Sequence, residues 1–168
     1  ARSGGVAITA TSASGGLISG TAAAMLTDGW TWEEMTLKAP IGLVVNWPSM
    51  TYRRPRSGRQ TREVWQKQRD AELKILAETF ATARAYMKAR EADRSRHDPD
   101  LRWEAMIPVL QKKVPVWVNA DEVAQIQSAV SWAEQEGVNL VIVGGNDALR
   151  VAFFFNDTAT TEIYTNVL

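Results

Sequence analysis

Val114-Pro115-Val116-Trp117-Val118-Asn119-Ala120-Asp121 and, further on, Leu140-Val141-Ile142-Val143-Gly144-Gly145 decide how this chain folds. Both runs are continuously apolar over Val114–Val118 and Leu140–Val143, as strands covered on both faces are. Between them Val123, Ile126, Val130 and Ala133 recur at helical spacing. Asp121 is placed to cap that helix and Gly137 to end it. Gly144-Gly145 then turns the chain, and Asn146-Asp147 can cap one more helix. Strand, helix, strand, helix is the pattern of parallel βα units.

Upstream, a short helix is expected over about Leu101 to Lys112, with Asp98 or Asp100 as its N-cap. A long helix is expected from about Thr61 to about Asp93. Trp65, Leu73, Leu76, Phe80, Ala83 and Met87 form its apolar face. Arg53–Arg62 is a basic loop, and Ile41–Trp47 is an extended apolar run stopped by Pro48. Val6–Thr11 reads as a strand and Ser12–Gly20 as a turn-rich stretch. The expectation is an α/β fold with parallel strands at Val6–Thr11, Val114–Val118 and Leu140–Val143, flanked by helices in an open arc. A closed eight-stranded barrel needs roughly 200 to 250 residues or more. A chain of 168 residues is therefore a small open sheet or part of a barrel.

The apolar fraction, 45%, suits a packed globular domain. Zero formal net charge argues against a general nucleic-acid or anionic-membrane partner, which excess positive charge would attract. No apolar run reaches the length of a membrane span. With no cysteine, disulfides, thiolate nucleophiles and cysteine metal sites are excluded. Ala1-Arg2-Ser3-Gly4-Gly5 has no signal-peptide character, and the expectation is that the true beginning lies upstream.

The end of the chain breaks the pattern. Phe153-Phe154-Phe155 has no periodicity, and Asn156-Asp157-Thr158-Ala159-Thr160-Thr161-Glu162-Ile163-Tyr164-Thr165 resembles the one-frame translation of a common sequencing-adapter oligonucleotide. The expected division is a partial barrel over residues 1–152 and an artefactual tail over 153–168, the mark of an unfinished metagenomic assembly.

Chemistry is expected where strands end. Asn119 and Asp121 follow one strand, and Asn146 and Asp147 the other, so these four are the candidate pocket-lining residues. Asp121 and Glu122 have a plainer role as helix-start residues. Gly144-Gly145-Asn146-Asp147 is either a phosphate cradle or a tight turn into a helix. Gly15-Gly16-Leu17-Ile18-Ser19-Gly20 is a ligand-side or merely structural loop, with no Gly-Lys-Ser/Thr to make it a phosphate loop. Trp30, Trp32 and Trp47 either line a pocket or pack in the core. His97 is the sole histidine, in a polar stretch, so a several-histidine zinc site is impossible within this chain. No residue is singled out as catalytic and none as a metal ligand.

Two stretches carry a family resemblance. The first is Gly15–Gly20 with Asp28-Gly29-Trp30-Thr31-Trp32-Glu33, Lys38-Ala39-Pro40 and Val45-Asn46-Trp47-Pro48. The second is Val114–Asp121 with Ile126-Gln127-Ser128-Ala129-Val130 and Val141-Ile142-Val143-Gly144-Gly145. Together they resemble the middle of bacterial amidohydrolases related to imidazolonepropionase, over about residues 4–152. The resemblance implies a partial (β/α) TIM barrel. It implies a parent that hydrolyses C–N bonds of cyclic amides or related small-molecule substrates, in the bacterial cytoplasm or periplasm. It also implies one or two divalent, zinc-like cations at the barrel mouth, whose bound water attacks the carbonyl. Family ligands are a His-x-His pair on the first strand, expected upstream of Ala1, histidines after two middle strands, and an aspartate expected beyond Leu168. Asn119 stands where one of those histidines is expected, and Gly144-Gly145 near another. The chain alone is therefore expected to be inactive and to carry no metal. The competing readings are a non-catalytic barrel relative that binds a small molecule, and a small βα interaction module.

Overall fold

The computed structural model describes residues 4–54, 61–92, 99–150 and the backbone of 151 and 161–163. His97, Asp98, most of the basic loop and most of the tail lie outside the described residues. In chain order the strands are β1 (Ile8–Ser12), β2 (Ile18–Leu26), β3 (Thr36–Asn46), β4 (Val116–Ala120), β5 (Leu140–Gly144) and β6 (Thr161–Ile163). The helices are α1 (Trp32–Met35), α2 (Arg62–Ala92), α3 (Leu101–Glu104), α4 (Ile107–Leu110), α5 (Val123–Glu136) and α6 (Ala148–Val151). The strands form one sheet in sequence order, with β1 and β6 at opposite edges, so the sheet is open.

The expectation of parallel strands holds for only part of this sheet. β3, β4 and β5 are parallel neighbours, with Asn46 beside Asn119 and Asn119 beside Val143. β1 and β2, and β2 and β3, are instead antiparallel, so the strand expected at Val6–Thr11 is not part of a parallel unit. The physical reason is connection length. Five residues join β1 to β2 and nine join β2 to β3, around the one-turn α1. Antiparallel neighbours tolerate such links, whereas a parallel pair needs a crossover of about a dozen residues or more.

Alternation along the parallel strands separates two faces. Leu43, Val45, Val116, Val118, Ala120, Leu140 and Ile142 point into the core with Leu76, Phe80 and Ala83 of α2, Val109 of α4 and Ile126, Ala129, Val130 and Ala133 of α5. Val44, Asn46, Trp117, Asn119, Val141 and Val143 occupy the alternate positions and so share the opposite face. The long helix has the apolar stripe expected of it, and an ion pair from Arg84 to Glu136 ties it to α5. Its far end is pinned by Glu104, whose Oε1 accepts from Tyr86 and Arg90, each at 2.8 Å. Desolvation, then donation to that carboxylate, raises the Tyr86 hydroxyl above its ordinary pKa.

The helix expected over Leu101–Lys112 is two short ones, because Pro108 near the start of α4 brings no backbone N–H to continue the ladder. Asp100 caps α3, accepting from the Arg102 N–H at 3.0 Å. The cap of α5 is Glu122 rather than Asp121. Gln125 Oε1 accepts from both Asp121 N–H and Glu122 N–H, each at 3.2 Å, which places the helix start one residue later than expected. Gly137 ends α5 at φ 66°.

The backbone of Thr161–Ile163 pairs with Leu140–Ile142 in parallel register. Deleting Asn156–Leu168 is nevertheless expected to leave the urea midpoint unchanged, because the adapter-like sequence carries no apolar pattern matched to this sheet. A clear drop in midpoint at constant slope would show that the tail belongs to the fold.

Candidate functional site

The ends of β3, β4 and β5 meet at one edge of the sheet, where α/β folds place ligands. At that edge two asparagines stand side by side. Asn119 Nδ2 donates to Asn46 Oδ1 at 2.6 Å, and Asn46 Nδ2 donates to Gly16 O at 2.7 Å and to Ser19 Oγ at 3.0 Å. The glycine-rich stretch therefore joins β1 to β2 and leans its backbone on the end of β3. Asn46 N–H also donates to Leu17 O at 2.8 Å, which fixes that approach.

A second cluster lies on the loops. Asn146 Nδ2 donates to Asp121 Oδ1 at 3.0 Å, Asp147 N–H to Asp121 O at 3.0 Å, and Gly145 N–H to Ala120 O at 2.9 Å. Of the four expected site residues, Asp121, Asn146 and Asp147 thus come together, while Asn119 belongs to the asparagine pair. Gly144 sits at φ 91°, and a Cβ there would stand 2.5 Å from Asp121 Oδ1. The carboxylate fills the space above Gly144. A phosphate would meet that negative charge, so the turn reading holds and the phosphate cradle does not.

The structure adds Asn46, Ser19 and Gln125 to this edge, none of them singled out from the sequence. Gln125 bridges from the start of α5 to the end of β3 by donating to Trp47 O at 3.1 Å. The signal for Asn46 was present: two apolar strands each end in asparagine, Val44-Val45-Asn46 and Trp117-Val118-Asn119. Of the tryptophans weighed as pocket walls, Trp47 is buried in the core against Trp132. Trp30 and Trp32 are exposed, at 98% and 69%.

The residues present do not suit a zinc centre. Asn46 and Asn119 offer amides already bonded to each other, and amide oxygens are weak zinc ligands beside imidazole. Asp121 is exposed and held by Asn146. Among the described residues no three histidine or carboxylate groups converge.

No family model and no curated protein matches the chain. A solved amidohydrolase from Thermotoga maritima MSB8 is similar in structure, with a TM-score of 0.76 and 22% identity over 98% of this chain. The chain spans 43% of the length of that protein. The mixed sheet and its helices therefore have the fold of part of an amidohydrolase.

Proposed function

We propose that this chain is the central sector of an amidohydrolase-like barrel whose whole protein hydrolyses C–N bonds in cyclic amides or related small molecules. What supports the reading most is the meeting of three parallel strand ends at one edge, with Asn46, Asn119 and Asp121 beside it. The divalent metal that the sequence resemblance implies belongs, in this proposal, to residues the chain does not supply. The chain on its own is then a non-catalytic sector.

A second reading, a barrel relative that binds a small molecule without turning it over, is favoured by the amide pair itself. It has no general base on it, and its hydrogen-bonding groups suit recognition better than proton transfer.

Two measurements test these readings. Calorimetric titration of the 168-residue chain with zinc at neutral pH is expected to show no submicromolar, stoichiometric binding. Such binding, lost on Asn119→Ala or Asp121→Ala, would make the strand ends a metal site of this chain and overturn the assignment. For the whole barrel, hydrolysis of hydantoin and 5,6-dihydrouracil is the direct assay. Turnover supports the hydrolase; saturable binding without turnover selects the second reading.

A further inference from the structure

We propose that the chain pairs with a second copy of itself through β1, by an antiparallel two-fold addition centred on Ala10 that joins the two sheets into one. The inference is independent of the hydrolase reading, since no residue of β1 takes part in the asparagine pair or the loop cluster.

β1 lies along an overhang of the sheet. β4 begins to pair with β3 only at Leu43, so residues 36–42 run on past the parallel strands with β2 as their neighbour. Along that overhang Ile8–Ser12 pairs with residues 22–26. β1 is the outer strand, and all five of its residues are exposed. An edge strand offers a row of unused N–H and C=O groups, and proteins blunt such edges with Lys, Pro, inward charge or a bulge. β1 carries none of these. It reads Ile-Thr-Ala-Thr-Ser, and its register with β2 is unbroken. No charged residue occurs anywhere in residues 4–27.

The direction of the outward groups follows from one bond. Thr27 N–H donates to Ala7 O at 3.1 Å, so Ala7 and Thr27 form a hydrogen-bonded pair one step beyond Ile8 and Leu26. Such pairs alternate with non-hydrogen-bonded ones along an antiparallel ladder. Thr9 and Thr11 therefore bond to β2, and Ile8, Ala10 and Ser12 turn their main-chain groups outward. A second β1, antiparallel and centred on Ala10, meets all of them. Ile8 exchanges bonds with Ser12 of the second copy, Ala10 with its own counterpart, and Ser12 with Ile8. Thr9 then faces Thr11 of the second copy at the closer, non-hydrogen-bonded spacing, where threonine pairs favour a sheet. Two-fold pairing sets any charge on the axis against its own like. The uncharged stretch avoids that repulsion, which suits a second copy and offers nothing to a charged partner. Each copy spends its β1 edge on the other, so association through it stops at two.

Sedimentation equilibrium of the 168-residue chain over a concentration series tests this. A monomer–dimer equilibrium is expected. Ala10→Lys sets two ammonium groups against each other on the axis and should weaken the dimer about tenfold or more, and Ala10→Glu should do the same with carboxylates. Mixed in equal amounts, the two variants should dimerise again, because lysine then faces glutamate. Ala10→Pro deletes only an outward N–H and should also weaken the dimer. Circular dichroism and urea midpoints of all three should match the parent, since Ala10 is exposed and its main chain makes no bond to β2. The exposed tryptophans at the tip of the overhang are the rival surface, and Trp30→Ser with Trp32→Ser should leave the dimer intact. A monomer mass at every concentration gives the edge to another partner and overturns the proposal. So does a dimer that survives Ala10→Lys, a dimer that the tryptophan variant abolishes, or a failure of the Lys and Glu variants to reassociate.

Discussion

Phe80→Ala is expected to cost about 3–5 kcal/mol of stability, the range for emptying a fully buried aromatic site. Phe80 lies on the inner face of α2, one turn from Leu76, and both are fully buried. Its ring meets Trp132 of α5 edge-on, with centroids 5.0 Å apart, and Trp132 leans in turn on Trp47, 5.3 Å away. The three rings join the long helix, the crossover helix and the end of β3. Loss of the phenyl ring leaves a void beside Trp132 that the two large, rigid indoles cannot close without moving backbone. Trp47 directly follows Asn46, so the void would also loosen the asparagine pair. Ile75→Ala on the same helix is the control: Ile75 is 52% exposed, and its loss should fall within about 0.5 kcal/mol of neutral. Urea melts of both variants check this. A Phe80→Ala midpoint close to that of Ile75→Ala would show that the ring cluster does not organise the core.

What could be read from sequence was what packing dictates locally. α2 and α5 follow from apolar spacing and, for α5, from its closing glycine. β4 and β5 follow from uninterrupted branched apolar residues, and their parallel pairing from the helix between them. The N-terminal sheet was less legible because its strands do not look like strands. β2 reads Ile-Ser-Gly-Thr-Ala-Ala-Ala-Met-Leu, rich in small residues with low strand preference. It is a strand because β1 and β3 flank it and supply its hydrogen bonds, which no local pattern reveals. β3 contains Pro40, which ordinarily argues against a strand interior. Here the partners jump from Ala22–Gly42 to Ala24–Lys38, and Pro40 falls inside that irregularity, where no ladder bond is asked of it. Asp121, Asn146 and Asp147 could be singled out as candidates because loops after parallel strands are where ligand groups gather, and the structure brings the three together. Asn46 was not singled out, because its partner Asn119 is 73 residues away.

Gly144→Ala is expected to cost about 2 kcal/mol and to do so through the mouth rather than the core. Two terms add. At φ 91° an L-residue is strained, which costs roughly 1–2 kcal/mol by itself. The new methyl would also stand 2.5 Å from Asp121 Oδ1, so the carboxylate must swing away from Asn146. A neighbouring substitution separates the two. Asn146→Ala removes the hydrogen bond without straining the backbone, and at this exposed position should cost no more than about 1 kcal/mol. Gly144→Ala should therefore cost more than Asn146→Ala in urea melts, with an unchanged slope. It should also shift the backbone amides of Gly145 and Asp147, which donate to Ala120 and Asp121. If instead Gly144→Ala is neutral, or costs no more than Asn146→Ala, then the close approach of the carboxylate to this glycine does not shape the loop. The link between the ends of β4 and β5 would then rest on the backbone bonds alone.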